Sequence, residues 1–222
     1  MKAIFLSDAH LKRQNDTNYR ELLRFLESLN PVDRTPSLPD EPESPEGVQP
    51  GGLRIDHLFI LGDFFDFWFA RGEAVYPEYR PVIASLKDLK NRGAMIHLTE
   101  GNHDFFLEDY FAKGLGFDVT PDWGEWRDGD GRILFSHGDT VDRGNRKYLL
   151  LRRVLRSGFV FHLQRILPLS LLWRIARSFS GMSKGWSRQR AEVLAEKMHR
   201  FMGGKLAEGY DVVVLGHAHH PG

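Results

Sequence analysis

Five short polar motifs, each placed just after an apolar run, constrain this chain more than any other feature. They are Asp8-Ala9-His10, Gly62-Asp63-Phe64-Phe65-Asp66, Gly101-Asn102-His103-Asp104, Ser136-His137-Gly138-Asp139 and Gly216-His217-Ala218-His219. The runs before them (Lys2–Leu6, His57–Leu61, Ala94–Leu98, Arg132–Phe135 and Val212–Leu215) are short and rich in aliphatic and aromatic residues, as buried strands are. Open α/β sheets carry their sites at the carboxyl ends of strands. Five distant segments can therefore converge there without long loops.

Helical spacing of apolar residues predicts helices between the strands. Asn18–Leu29 carries Leu22, Leu23, Phe25, Leu26 and Leu29, and Asn30-Pro31 stops it. Tyr79–Asn91 carries Val82, Ile83, Leu86 and Leu89 and closes at Arg92-Gly93. Arg188–Leu206 places Val193, Leu194, Met198 and Phe201 on one face. Asn30–Gly52 holds six prolines, several acids and few large apolar groups, so it is expected to be a mobile inserted surface loop. No internal repeat is present.

The chain has 222 residues, of which 41% are apolar, which fits one globular domain, 1–222, with an insertion. Without cysteine, disulfides, thiolate zinc sites and a cysteine nucleophile are excluded. Asp8 ends the first apolar run too early for a signal peptide, which leads us to expect a cytoplasmic protein. No uncharged apolar window reaches the ~18 residues of a membrane-spanning helix. The sequence stops just after the last motif, at His220-Pro221-Gly222, where further strands would be expected, so the C-terminal end is expected to be truncated.

A net charge of zero conceals an asymmetry: Arg143–Arg190 contains twelve Lys or Arg and no Asp or Glu. Within it, Ser157–Arg190 crowds Phe, Leu, Ile and Trp among the cations, and Pro168 divides it into two helices. Three readings fit: a helical pair with solvated arginines, a nucleic-acid surface, or an amphiphilic lid over the site that touches an anionic membrane. A nucleic-acid groove would not need a dozen aliphatic groups. We therefore favour a basic, aliphatic lid over residues 143–200 and expect no nucleic-acid partner.

Asp, His and Asn together suit a pair of hard or borderline divalent cations, and by residue type Mn²⁺, Fe, Zn²⁺ and Mg²⁺ all remain open. Two such ions lower the pKa of a shared water enough for in-line attack on phosphorus. His103, followed by Asp104, is expected to donate to a phosphoryl or leaving oxygen, with the Asp104 carboxylate orienting its ring. Asp66 and Asp139 are expected to hold the ligand histidines. Phe64, Phe65, Phe67, Trp68 and Phe69 read as packing beneath the site. His57, His97, His162 and His199, outside the motifs, read as core or surface residues; His220 is undecided.

In order and content the motifs resemble those of the calcineurin-like metallophosphoesterases. That resemblance implies a four-layer α/β sandwich flanked by helices, with a helical lid insertion. It implies Asp63 as the bridging ligand, Asp8, His10 and His219 on one cation, and Asn102, His137 and His217 on the other, with Mn²⁺ as the metal. Ser7-Asp8-Ala9-His10-Leu11, Gly62-Asp63-Phe64-Phe65-Asp66-Phe67-Trp68, His137-Gly138-Asp139-Thr140-Val141-Asp142, Gly216-His217-Ala218-His219 and the Arg/Leu-rich stretch ending Ser183-Lys184 further resemble the UDP-2,3-diacylglucosamine hydrolases of bacterial lipid A synthesis. This narrower resemblance implies cleavage of a nucleotide-activated glycolipid at the inner face of the inner membrane, giving UMP and 2,3-diacylglucosamine 1-phosphate. It implies Asn102, Arg143, Tyr148, Arg177, Ser183 and Lys184 near the substrate. His103 departs from it, since many members carry Arg there. Another phosphodiester as substrate is the alternative, and a non-catalytic metal-bearing membrane module is a third. Oligomeric state is not legible in the sequence.

Overall fold

The computed structural model describes residues 2–31, 53–179 and 188–218. Strands β1 (Ala3–Leu6), β4 (His57–Leu61), β5 (Met95–Thr99) and β6 (Asp118–Thr120) form an all-parallel sheet in the order β1-β4-β5-β6. β4 is buried along its whole length, as a central parallel strand covered on both faces must be. A second sheet, in the order β7-β8-β9, comprises β7 (Trp123–Asp128), β8 (Gly131–Ser136) and β9 (Val212–Leu215). Its β7/β8 pair is antiparallel and its β8/β9 pair parallel. Short β2 (Leu29–Pro31) and β3 (Leu53–Ile55) pair by themselves.

Between the two sheets lies a small core of Phe59, Leu61, Ile133 and Phe135, with Phe5, Trp126 and Val214 packed on it. Phe5 stacks on Phe59 at 4.7 Å between ring centroids. The larger core lies on the other face of the first sheet. There α1 (Thr17–Ser28) buries Tyr19 and Leu26, and α2 (Arg80–Asn91) buries Val82, Ile83, Leu86 and Leu89. On the far side, α6 (Arg188–Ala207) packs on β9, burying Leu194, Ala195 and Met198. The layers are thus helix, sheet, sheet, helix, the mixed α/β architecture expected from the sequence.

Three corrections concern boundaries. Asn30 and Pro31, read as the start of the inserted loop, belong to β2, and 32–52 lie outside the described residues. Residues 188–200, read as part of the lid, belong to α6 and to the body of the fold. The lid also gains an unforeseen helix, α3 (Arg146–Leu155), before α4 (Gly158–Ile166) and α5 (Leu169–Phe179). Pro168 separates α4 from α5 as expected. The rest of the lid's second half, 180–187, lies outside the described residues.

Lid helices α3–α5 meet the body through specific polar contacts and, in α5, through Trp173 and Ala176 packed on the larger core. Arg71 Nη2 donates to the carbonyls of Gln164 and Leu167 at the end of α4 (3.1 and 2.8 Å), and Trp173 Nε1 donates to the Phe69 carbonyl (3.2 Å). They carry exposed Leu150, Leu151, Val154, Phe159 and Ile166, of which Leu151 lines a small pocket with Asn102 and Tyr148. Among the described residues no helix is long and apolar enough to cross a membrane.

Candidate metal centre

Each polar motif emerges from a strand's carboxyl end: Asp8 after β1, Asp63 after β4, Asn102 after β5, His137 after β8 and His217 after β9. Turning from strand to site demands unusual backbone. Asp8, His10, Asp63 and His217 adopt φ of +54°, +43°, +49° and +71°. Such left-handed conformations are uncommon outside glycine and concentrate at functional sites. Two glycines let the loops meet. A methyl group on Gly101 would stand 2.2 Å from Asp63 Oδ1, and one on Gly216 would strike the Ser7 hydroxyl. Closure between the two ends of the chain is direct, because His217 N donates to Asp8 Oδ2 at 2.8 Å.

Three sets of donor atoms result, Asp8 with His10 and Asp63, Asp63 with His137 and His217, and His10 with Asp66 and His103, each within 4.8 Å. Asp63 belongs to the first two. Its Oδ1 accepts from His103 N at 2.8 Å, which leaves Oδ2 to face His10 Nε2 at 3.7 Å and His137 Nε2 at 3.5 Å. That geometry is what a bridging carboxylate needs.

The hydrogen-bond logic around His137 tests whether cations fit. Its Nδ1 lies 2.9 Å from the Leu61 carbonyl, which can only accept, so Nδ1 carries the proton. In the neutral ring Nε2 then offers a lone pair. It points at Asn102 Oδ1 (3.1 Å), His217 Nδ1 (3.1 Å) and Asp63 Oδ2. With Asn102 Oδ1 and Asp63 Oδ2 turned to it, that lone pair joins a cluster of acceptors which a positive charge, a proton or a divalent cation, would stabilise. The electrostatics agree. Burial pulls the His137 pKa down, but the carboxylates of Asp63, Asp8 and Asp139 and the Leu61 carbonyl outweigh it, and the net direction is up. His217 goes the other way, to about 4, through burial and the neighbouring His137.

His103 is oriented by a backbone group. Its Nδ1 is 3.1 Å from the Asp66 carbonyl, and its ring sits edge-on to His10 at 4.9 Å. Asp104, expected beside that imidazole, does something else. Fully buried, it accepts four backbone N–H bonds: Asp63 and Gly101 on Oδ1 (2.8 and 3.0 Å), Phe64 and Phe65 on Oδ2 (2.7 and 3.0 Å). It locks the Asp63 turn to the Asn102 turn. Burial, and then the charge of Asp63, raises its pKa, with the Phe65 and Gly101 N–H groups among the influences opposing.

Of the two acids expected to hold ligand histidines, Asp66 pairs its carboxylate with Lys12 (3.1 Å) within 4.8 Å of ring nitrogens of His10 and His103, and its carbonyl faces His103 Nδ1, whereas Asp139 turns elsewhere. Asp139 Oδ2 accepts from the Tyr148 hydroxyl (2.6 Å) and Arg152 Nε (2.7 Å), both on α3. Burial raises the Asp139 pKa, but these two partners and His137 reverse that and hold it below its ordinary value.

Of the residues expected near substrate, Asn102 stands at the centre. Tyr148 reaches its edge, with its ring 6.4 Å from that of His217. Arg177 of α5 lines a cleft of about 960 Å³ beside Asp8 and His10, together with Lys12, Phe67 and Tyr76. Arg143 is exposed in the turn before α3 and is not among the residues of that cleft. His219, Ser183 and Lys184 lie outside the described residues. Phe64, Phe65, Phe67 and Trp68 are buried under the site, with Phe69 packed against the same core, and His57 and His97 are buried in the fold. Arg152, Arg156 and Glu100 were missed from sequence. A repeat of Tyr148, Arg152 and Arg156 at four-residue spacing was the available signal.

Residues 1–221 match the model of the family described as calcineurin-like phosphoesterase. A UDP-2,3-diacylglucosamine hydrolase of Pseudomonas aeruginosa (strain UCBPP-PA14) is 28% identical over 231 residues, covering 100% of this chain and 83% of that protein. One from Pseudomonas entomophila (strain L48) is 32% identical over 168 residues, 74% of this chain and 68% of its own length. One from Azotobacter vinelandii is 28% identical over 225 residues, again 100% and 83%.

Proposed function

This chain belongs to the calcineurin-like phosphoesterase family, a family of metal-dependent hydrolases, and we propose that it hydrolyses UDP-2,3-diacylglucosamine to UMP and 2,3-diacylglucosamine 1-phosphate. What carries the substrate is the match, along the whole chain, to relatives of that name. The amphiphilic lid beside the centre supports it, since an acylated substrate needs apolar cover and its diphosphate needs cations.

In this reading Asp63 would be shared between two divalent cations, Mn²⁺ by the same resemblance. Asp8 and His10, joined by His219, would hold one; Asn102, His137 and His217 would hold the other. Bound there, the ions would supply an activated water and neutralise phosphoryl charge. Asp63 is fixed for this by His103 N on one oxygen and by Asp104 behind its own backbone. His103 keeps one proton on Nδ1 for the Asp66 carbonyl, so a second proton on Nε2 makes it a donor to a phosphoryl or leaving oxygen. Arg177, with Lys12 in the same cleft, offers positive charge to the substrate's phosphates. Arg143 and Tyr148, together with Ser183 and Lys184, remain proposed substrate contacts. The exposed leucines and arginines of the lid suit the anionic inner face of a membrane.

The assay is UMP release from the lipid in detergent with Mn²⁺. Asp63→Ala is expected to abolish it with the fold retained, and His103→Gln to slow turnover by about 100-fold while Mn²⁺ still binds. A parent protein that binds Mn²⁺ and cleaves cyclic nucleotides, yet never releases UMP from this lipid, would overturn the substrate. That outcome would favour a soluble phosphodiester, the second reading that His103 supports.

A further inference from the structure

One face of α3 grips two of the loops that carry the proposed second-cation ligands. Tyr148 and Arg152 hold Asp139, two residues after His137. Arg156, the residue that closes α3, reaches the other loop. Its Nη1 donates to Glu100 Oε2 (2.8 Å) and the Pro121 carbonyl (2.9 Å), and its Nη2 donates to the Gly101 carbonyl (2.7 Å). Glu100 is itself buried, and its other oxygen accepts from Leu107 N at 2.8 Å.

Gly101 is the relay. It is pinned by Arg156 on one side, and on the other it presses so closely on Asp63 that no side chain fits between them. Its neighbour Asn102 faces His137 Nε2 at 3.1 Å. A shift of the Gly101 carbonyl therefore moves Asp63 and Asn102 together. The guanidinium fork is the only side-chain group that can serve three acceptors in fixed directions, and a lysine ammonium cannot reproduce it.

We propose that Arg156 is a positioning residue that ties the seating of the lid to cation affinity, by fixing the Glu100–Asn102 loop against Asp63. The proposal rests on the metal-centre assignment above. Coupling of this kind is reciprocal: whatever seats α3 tightens the cation site, and cations at that site seat α3.

Mn²⁺ titration of the metal-free full chain by calorimetry, with folding checked by circular dichroism, tests it. Arg156→Gln is expected to weaken one of two bound ions by ~10-fold, the scale on which supporting partners of metal ligands act. Arg156→Lys, the milder change should the first variant not fold, is expected to lose affinity as well. Arg165→Gln breaks another lid contact, to Asp109 at 3.2 Å, and is expected to match the parent. Mn²⁺ is expected to slow hydrogen exchange of α3 amides in the parent but not in the Arg156 variants. Parent-like affinity in the Arg156 variants, or an equal loss in Arg165→Gln, would overturn the proposal and leave the metal centre standing. A parent that binds no Mn²⁺ would overturn both.

Discussion

Asp104→Asn removes one formal charge and almost no volume, yet the structure makes it among the most damaging exchanges available. The carboxylate accepts four backbone N–H groups, two on each oxygen, from Asp63, Gly101, Phe64 and Phe65. A carboxamide has one oxygen. Whichever way it is turned, its NH₂ faces two buried N–H donors and leaves both without an acceptor. Losing two charge-assisted bonds costs about 1.5–3 kcal/mol each, or roughly 3–6 kcal/mol in all. Asp104 is itself disfavoured as an anion by burial and by Asp63, so neutralising it returns part of that loss, and the low end, about 3 kcal/mol, is expected. Domains of this size are stable by only about 5–15 kcal/mol, so the change is visible. Urea unfolding of the metal-free protein at pH 8 measures it. A loss under about 1 kcal/mol would refute the clamp and return Asp104 to the role of partner to His103.

Two further outcomes follow from the histidines. Because its carboxylate neighbours outweigh burial and raise the His137 pKa, cation binding at Nε2 competes with a proton. Apparent Mn²⁺ affinity is expected to rise with pH while His137 is being deprotonated, with proton release seen as a calorimetric difference between two buffers of unlike ionisation enthalpy; affinity flat from pH 6 to 8 would contradict this. His97 is buried between the sheets, with Nε2 3.0 Å from His57 Nδ1 and Nδ1 2.8 Å from Asp118 Oδ2. Burial lowers its pKa below the ordinary 6.5 despite Asp118. A base with a depressed folded pKa contributes stability above its unfolded pKa and loses it as pH falls from there. The stability difference between parent and His97→Gln is thus expected to shrink from pH 8 to pH 5, read from urea midpoints, and a constant difference would remove burial as the cause.

What was legible in the sequence is what hydrophobicity encodes. β4 and β9 have the bounds read from their apolar runs, and β1, β5 and β8 differ by a residue or so at their ends. α1, α2 and α6 follow their apolar faces to within a residue or two. Less apolar segments escaped. β7 reads Trp-Gly-Glu-Trp-Arg-Asp and lies at a sheet edge, half in water, so its pattern does not stand out. α3 buries none of its residues and docks through polar tips, and its apolar residues stand exposed among arginines, so no core-facing stripe marked it. The roles of Asp104 and Asp139 were hidden for a related reason. An acid next to a histidine in sequence looks like its partner, whereas Asp104 serves amides some forty residues away and Asp139 serves a lid helix. Sequence adjacency says little about which way a side chain turns at a strand end.

The left-handed backbone at Asp8, His10, Asp63 and His217 bears on how such a chain can drift over generations. Each position costs on the order of 1 kcal/mol that glycine there would recover, so selection for stability alone would favour their loss. Copies that had abandoned chemistry should fill these sites with glycine or asparagine long before they lose their strands. Four acids and imidazoles hold them here, so each of these side chains is kept against a backbone penalty.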